Sequence, residues 1–288
     1  MRVGLIGLGR MGSAIAERLA ELGIRVTAWE IDPSRGPADI ARVGSPAEVA
    51  ANCDVIASII TEDGGVRGLW HGAGGFDSTD ITGKLFIEMS TLQPATIRTL
   101  AAHAAGRGAV YLDSPVLGSI PTARAGQLTA LVGGDDASVA RARALLEHLT
   151  AKIEHIGPTG SGAVMKLVIN NMMGSYLQIL SESLMLGESQ GLSLERMIGV
   201  IGESINASPW FQFKRPALLG QDSPMTLDVR TLRKDLLAVA ATAAAAGVPT
   251  PVAVTTAASL SAAVQAGLGG QDCSALVAFL RAEMPQRW

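Results

Sequence analysis

The chain has 288 residues, enough for one large domain or two ordinary ones. With 48% apolar and 17% charged residues it can build a packed core, which argues against disorder. A formal net charge of −3 supplies no basic field, so no nucleic-acid partner is expected.

The N-terminus reads as a strand running into a glycine turn, with no charged leader before a cleavage site. The apolar run 236–248 lies between Asp235 and Pro249. It is shorter than the ~18 residues of a membrane span, so no membrane partner is expected. Cys53 and Cys273 have no metal-ligand spacing, so neither a metal site nor a disulfide framework is implied. Few cysteines and no leader point to the cytoplasm.

The first half alternates short apolar runs with helical patterns. Strands are expected at 2–7, 25–30, 54–60, 84–90, 109–116, 128–134 and 152–157. Helices are expected at 12–23, 45–53, 96–108 and 136–150, the second with Ser45 as N-cap and Glu48 three residues on. This rhythm predicts a mainly parallel, doubly wound α/β sheet of Rossmann type. After about residue 158 only helical periods remain: 162–190, 193–206, 226–246, 251–266 and 271–282. The expected organisation is a dinucleotide-binding domain over 1–158 and an all-α domain over 159–288, joined by a long helix.

Gly7-Leu8-Gly9-Arg10-Met11-Gly12 fits G-x-G-x-x-G between a strand and a helix. The first glycine makes the turn, the second lets backbone approach a pyrophosphate, and the third permits close helix–strand packing. Glu30 closes the second strand about 18 residues later, where an acid would hold the adenosine ribose hydroxyls. Glu30 repels a 2′-phosphate and so favours NAD, although Arg35 nearby leaves NADP open.

Chemistry follows partly by elimination. Tyr111 and Tyr176 have no lysine four residues on, and Cys and His ligands for a catalytic zinc are not in evidence. His71, His103, His148 and His155 have no obvious acid partner in sequence. Lys166 remains, with Asn170 four residues later on the same helix face. The helix 162–190 is apolar over more than one stripe, which predicts burial on all sides and association into a homodimer or homotetramer.

Several separated motifs stand in a consistent order: 7–12, 89–94, 113–119, 126–134, 157–171 and 233–238. On these the chain resembles the β-hydroxyacid dehydrogenases. That group contains 3-hydroxyisobutyrate dehydrogenase, tartronate semialdehyde reductase and 6-phosphogluconate dehydrogenase. The resemblance implies hydride transfer between NAD(P) and a small β-hydroxy acid or its semialdehyde, with Lys166 as catalytic acid/base. It implies that Asn170 orients substrate, that Thr91 sits beside the nicotinamide with Ile60 and Thr61 also at the cofactor, and that Lys234 serves cofactor and substrate. Residues 117–119 would offer backbone N–H groups to the substrate carboxylate. A lysine at its reference pKa of ~10.4 is a poor base near neutrality, so burial and the charge of Lys234 are expected to lower it.

The chain also departs from the family pattern. Leu117-Gly118-Ser119 replaces Ser-Gly-Gly, Leu227 replaces a phenylalanine, and Thr61 replaces a proline. These changes leave the individual substrate open. Alternatives are tartronate-semialdehyde-reductase-type activity, an imine reductase on the same architecture, which Lys166 opposes, or a dinucleotide-binding oligomeric scaffold without catalysis.

Overall fold

The computed structural model describes residues 1–282. The chain divides into two compact units, Met1–Val168 and Ile169 onward, with the division falling inside one long helix.

The first unit is built on a nine-stranded sheet. In chain order its elements are β1 (Val3–Ile6), α1 (Arg10–Glu21), β2 (Val26–Trp29), β3 (Ala41–Arg42), α2 (Pro46–Asn52), β4 (Val55–Ser58), α3 (Asp63–His71), β5 (Leu85–Glu88), α4 (Pro94–Gly106), β6 (Val110–Asp113), β7 (Val116–Leu117), α5 (Ile120–Arg124), β8 (Leu128–Gly133), α6 (Asp136–Leu146) and β9 (Thr150–Gly157). A 3-10 turn at Phe76–Ser78 follows α3. The strand order is β3-β2-β1-β4-β5-β6-β8-β7, with β9 beside β8. All pairings are parallel except β6–β8 and β7–β8.

The central strands are buried on both faces, and their period of two divides them between two cores. Val3, Leu5, Leu85 and Ile87 join Ile15, Leu19, Leu145 and Leu146. Ile6, Phe86 and Tyr111 join Val49, Trp70, Phe76 and Leu100 on the other face. Trp70 anchors the second core, with Phe86 at 4.9 Å, Phe76 at 5.2 Å and Tyr111 at 5.7 Å between ring centres.

The expected strand 109–116 is two strands, β6 and β7, because Pro115 lies between them and has no N–H to continue a ladder. The expected helix 96–108 starts two residues earlier, at Pro94, whose missing N–H is harmless in a first turn. Ser45 caps α2, its hydroxyl accepting from the Glu48 N–H at 3.2 Å. Helix α3 was not expected from the pattern: Gly64, Gly65 and Gly68 weaken it, and Val66, Leu69 and Trp70 bury one face to hold it.

Helix α7 (Ser161–Ser189) runs from the first unit into the second. The second unit continues with α8 (Leu194–Gly202), α9 (Pro209–Leu218), α10 (Val229–Ala245), α11 (Pro251–Ala263) and α12 (Ala275–Ala282). A π turn at Val264–Leu268 follows α11. Helix α9 was also unexpected, since Pro216 reads as a breaker; Ser208 caps its start, and Phe211, Lys214 and Leu218 bury one face. Lys214 is fully buried and pairs with Asp272 at 2.6 Å. Burial pushes the Asp272 carboxyl up, but Lys214 and the Thr226 and Ser274 amides outweigh it and hold the group below its usual range.

One buried carboxyl titrates near neutrality. Glu88, at the end of β5, is fully buried. It accepts from the Ser58 hydroxyl at 2.6 Å, the Ser90 amide at 2.9 Å and the Tyr111 hydroxyl at 3.4 Å. Burial raises its pKa from 4.5 to about 7 against those donors. Between these two values the unfolded chain has released the proton and the folded chain keeps it. Stability therefore falls as pH rises through the window and levels off above it, by on the order of 3 kcal/mol in all. Glu88→Gln should lack this slope. Urea melts should show the variant gaining on the parent by on the order of 2 kcal/mol between about pH 5 and pH 8. Parallel pH dependence of the two proteins would show that Glu88 does not titrate there.

Candidate functional site

In the first unit the strand order reverses between β1 and β4, each flanked by connections that run in opposite directions. Ligands of open α/β sheets bind outside the carboxyl ends of strands at such a switch point. A cleft of about 450 Å³ lies there, lined among others by Gly7, Gly9, Glu30, Arg35, Ile60 and Thr61.

The three glycines of the turn carry separate constraints. Gly7 has φ +91°, and a Cβ on it would lie 2.3 Å from the Ile59 carbonyl. A Cβ on Gly12 would lie 1.9 Å from the Gly7 carbonyl, so strand and helix close against each other there. At Gly9 a Cβ would meet nothing within 4 Å, and the backbone, at φ −62°, is ordinary. Packing therefore does not require glycine at position 9, whereas the close approach of a pyrophosphate would. Gly9 is also the N-cap of α1 and provides no side-chain cap, which leaves the helix N-terminus to receive an anion. Met11 is partly buried against the first core, and Arg10 is exposed at the first residue of α1.

Glu30 follows directly on β2. It accepts from the Leu8 amide at 2.6 Å and the Asp32 amide at 3.1 Å. The carboxylate thus ties the glycine turn to the end of β2, and each oxygen keeps a lone pair for a ribose hydroxyl. Arg35 pairs with Asp32 at 3.1 Å. The Ile60 amide donates to the Ser90 hydroxyl at 2.8 Å, and so the loop carrying Ile60 and Thr61 is joined to the loop carrying Thr91.

Lys166 lies in the first turns of α7 and is half-buried. Its Nζ donates to the Val116 carbonyl at 2.9 Å. That carbonyl immediately precedes Leu117-Gly118-Ser119, so the amine stands beside the loop expected to hold an acid. The loop itself differs from expectation at two donors, the first being the Leu117 amide, which is taken up opposite Thr129 in the β7–β8 ladder. The Ser119 amide donates to Thr122 Oγ1 at 2.7 Å and is engaged in starting α5. Gly118 has φ +140°, and a Cβ there would lie 2.6 Å from both Thr122 and Leu128, which fixes glycine at the turn. Arg124, at the end of α5, pairs with Glu17 of α1 at 2.5 Å.

Asp113 was not singled out from sequence. It ends β6, is fully buried, and accepts from the amides of Gly160 at 2.6 Å and Ala163 at 2.7 Å. It therefore caps the helix that carries Lys166. Burial raises its pKa, and the two amides oppose the shift. A second cluster missed in sequence joins His71, Asp77 and His103. The expectation that no histidine has an acid partner is corrected: His71 and His103 each contact Asp77 at 2.7 Å. Asp77 falls in the 3-10 turn after α3, and that arrangement exists only because α3 forms.

In the second unit, Asn170 and Asp235 are both buried, and Asn170 Nδ2 donates to Asp235 Oδ2 at 2.7 Å. Lys234 Nζ lies 2.7 Å from the other oxygen of Asp235. Asp235 thus joins two residues that the sequence reading had kept separate. Asp235 is buried and so is no solvated surface charge.

A Rossmann-type sheet with a glycine turn, an acid at the end of the second strand and a lysine beside the loop after β7 is the arrangement of a nicotinamide-dependent dehydrogenase. The model of the NAD binding domain of 6-phosphogluconate dehydrogenase matches residues 2–157. That of the NAD-binding region of NADP-dependent 3-hydroxyisobutyrate dehydrogenase matches residues 160–280. The chain is 31% identical over 261 residues to 3-hydroxyisobutyrate dehydrogenase of Pseudomonas aeruginosa, covering 87% of this chain and 88% of that protein. It is 29% identical over 282 residues to glyoxylate/succinic semialdehyde reductase 1 of Arabidopsis thaliana, covering 96% and 97%. The solved structure of Mycobacterium tuberculosis 3-hydroxyisobutyrate dehydrogenase with L-serine matches with a TM-score of 0.84 at 26% identity, covering 98% of this chain and 100% of that one. The chain belongs to the β-hydroxyacid dehydrogenase family. It is an NAD(P)-dependent oxidoreductase acting on a CH–OH group.

The reading of Gly9 gives a direct test of the cleft. Gly9→Ala should fold with a melting temperature close to the parent's, since an N-cap exchange costs only about 1 kcal/mol. Its NAD affinity, measured by fluorescence titration, should fall at least roughly tenfold, the equivalent of 1.4 kcal/mol. Unchanged affinity would place the pyrophosphate elsewhere.

Proposed function

We propose that the chain interconverts a small, unphosphorylated β-hydroxy acid and the matching semialdehyde, using NAD in preference to NADP, with Lys166 as the acid/base. The observation that carries this is the Lys166 Nζ hydrogen bond to Val116, which holds the amine beside residues 117–119. Gly7 to Gly12, Glu30, Ile60, Thr61 and Thr91 would hold the cofactor, and the open space at Gly9 fits its pyrophosphate. When bound, the nicotinamide supplies the hydride acceptor or donor.

In oxidation, neutral Lys166 takes the hydroxyl proton as the carbinol carbon gives up hydride. In reduction, the ammonium returns that proton to the carbonyl oxygen. Of residues 117–119, the Gly118 amide is proposed to receive the substrate carboxylate, since that of Leu117 pairs with Thr129 in the β7–β8 ladder and that of Ser119 serves Thr122. Asn170 and Lys234 are proposed as further substrate contacts, Lys234 also serving the cofactor, with Asp235 holding both side chains in place. The NAD preference is supported by Glu30 lining the cleft while Arg35 is paired with Asp32. The relatives act on 3-hydroxyisobutyrate and on glyoxylate or succinic semialdehyde by their names, which fits small acids of this kind.

Association through the helical unit and a cytoplasmic location complete the reading. Burial of α7 on all sides was expected, but Met172, Ile179 and Leu186 are more than half exposed. Their seven-residue spacing makes one apolar stripe that the described chain does not cover, which supports a helix-to-helix contact with a second copy. Light scattering of the purified protein should give a dimer or tetramer; a monomer at working concentration would defeat this part of the proposal.

Lys166→Ala should lower kcat roughly 10²–10⁴-fold in assays of NAD reduction with a panel of 3-hydroxy acids. NAD affinity should stay the same. Near-normal turnover of the variant would remove Lys166 from the chemistry. Intact NAD binding without turnover of any acid by the parent protein would favour the non-catalytic scaffold.

A further inference from the structure

We propose that His71, Asp77 and His103 form a binding site for a divalent transition-metal ion, with zinc the natural occupant for two imidazoles and a carboxylate. The cluster plays no part in the proposed chemistry. His71 is the last residue of α3, Asp77 lies in the 3-10 turn, and His103 stands in the last turn of α4. His71 Nδ1 is 2.7 Å from Asp77 Oδ2, and His103 Nε2 is 2.7 Å from Asp77 Oδ1. One ligand atom from each residue lies within 4.8 Å of the others. The two imidazole rings meet edge to face with centroids 5.0 Å apart.

The geometry is close to a three-ligand metal site. Zinc binds imidazole nitrogen and carboxylate oxygen at about 2.0–2.2 Å, which in a tetrahedron puts neighbouring ligand atoms roughly 3.3–3.5 Å apart. The hydrogen-bonded contacts are therefore short by roughly 0.6–0.8 Å, a gap that small side-chain rotations close. The side chains of His71, Asp77 and His103 are 48%, 36% and 35% exposed, so an ion can enter and keep water in the fourth position. Nδ1 of His71 and Nε2 of His103 carry protons while they donate to Asp77. Each neutral ring can move that proton to its other nitrogen, which frees a lone pair for the metal with no net proton release.

Arg107 supplies the opposing charge. Its guanidinium lies 3.1 Å from Asp77 Oδ1. It also donates to the carbonyls of Phe76 at 2.8 Å and Thr79 at 2.8 Å. The guanidinium is thus fixed on the backbone of the turn, and it orients the carboxylate while leaving Oδ2 turned to His71. Its charge limits affinity without closing the site. His155 shows the contrast: it lies 3.4 Å from Asp136, and among the described residues no third ligand completes that pair. An ion at the triad would join the end of α3 to α4 through the turn. Since α3 also lines the cofactor cleft at Gly65, Gly68 and Leu69, bound metal would brace that wall from behind.

The test uses the untagged full chain, freed of metal with a chelator, and titrated with zinc chloride by calorimetry at neutral pH. One zinc ion should bind per chain, and the melting temperature should rise with zinc concentration. His103→Ala and Asp77→Asn should each weaken binding by more than roughly tenfold. Both variants should keep the parent's circular dichroism spectrum and NAD affinity, and His155→Ala should bind zinc as the parent does. Absence of stoichiometric binding to the parent would overturn the site. Equal binding by the His71→Ala/His103→Ala double variant would do the same.

Discussion

A buried carboxylate at the end of one strand sets the position of the lysine proposed as the acid/base. Asp113 closes β6 inside the sheet and takes the amides of Gly160 and Ala163, the first donors of α7. Those amides have no partner within the helix, so without the carboxylate they would be buried and unpaired, at about 1–3 kcal/mol each. Gly162 completes the arrangement, since a Cβ there would stand 2.1 Å from the Leu131 carbonyl of β8. The helix start is thereby held against β6 and β8. One turn further on, Lys166 reaches the Val116 carbonyl. Fixing a helix on the sheet in this way fixes a lysine against the loop that follows β7.

The same rim of the sheet builds the rest of the site in the first unit. Strands β1, β2, β4 and β5 deliver Gly7, Glu30, Ile60 and Thr91 because all four run parallel and end on the same side. Two polar links draw those loops together: Glu30 to the Leu8 amide and Ser90 to the Ile60 amide. Glu88 lies directly beneath the second link, bonded to the Ser90 amide. The cleft at the switch point therefore rests on a carboxyl that changes charge near neutrality.

The architecture was legible in the sequence wherever burial is continuous. Strands buried on both faces read as apolar runs, and the glycine turn lies between such a strand and a helix. Lys166 could be proposed from sequence because few other residues in the chain suit the chemistry. What escaped was produced by tertiary contact. Asp113 and Glu88 look like ordinary strand ends until the fold buries them and brings them donors, the first amides of α7 for Asp113 and the Ser90 amide for Glu88. Asp235 looks like half of a surface charge pair, yet it is buried between Asn170 and Lys234. Helix α3 is rich in glycine and is held by the burial of Val66, Leu69 and Trp70, so the triad at its end could not be read from propensity. The commitment of the Ser119 amide to Thr122 depends on a five-residue helix, below the length that periodicity detects.

The central claim is that Lys166 exchanges a proton with the reacting oxygen. A crystal structure of the protein with NAD and a bound 3-hydroxy acid tests it most directly. The account predicts Lys166 Nζ within about 2.6–3.2 Å of the substrate hydroxyl, and the carboxylate on the amide of Gly118. A substrate hydroxyl held by another side chain, with Lys166 still turned to Val116 and out of reach, would contradict it.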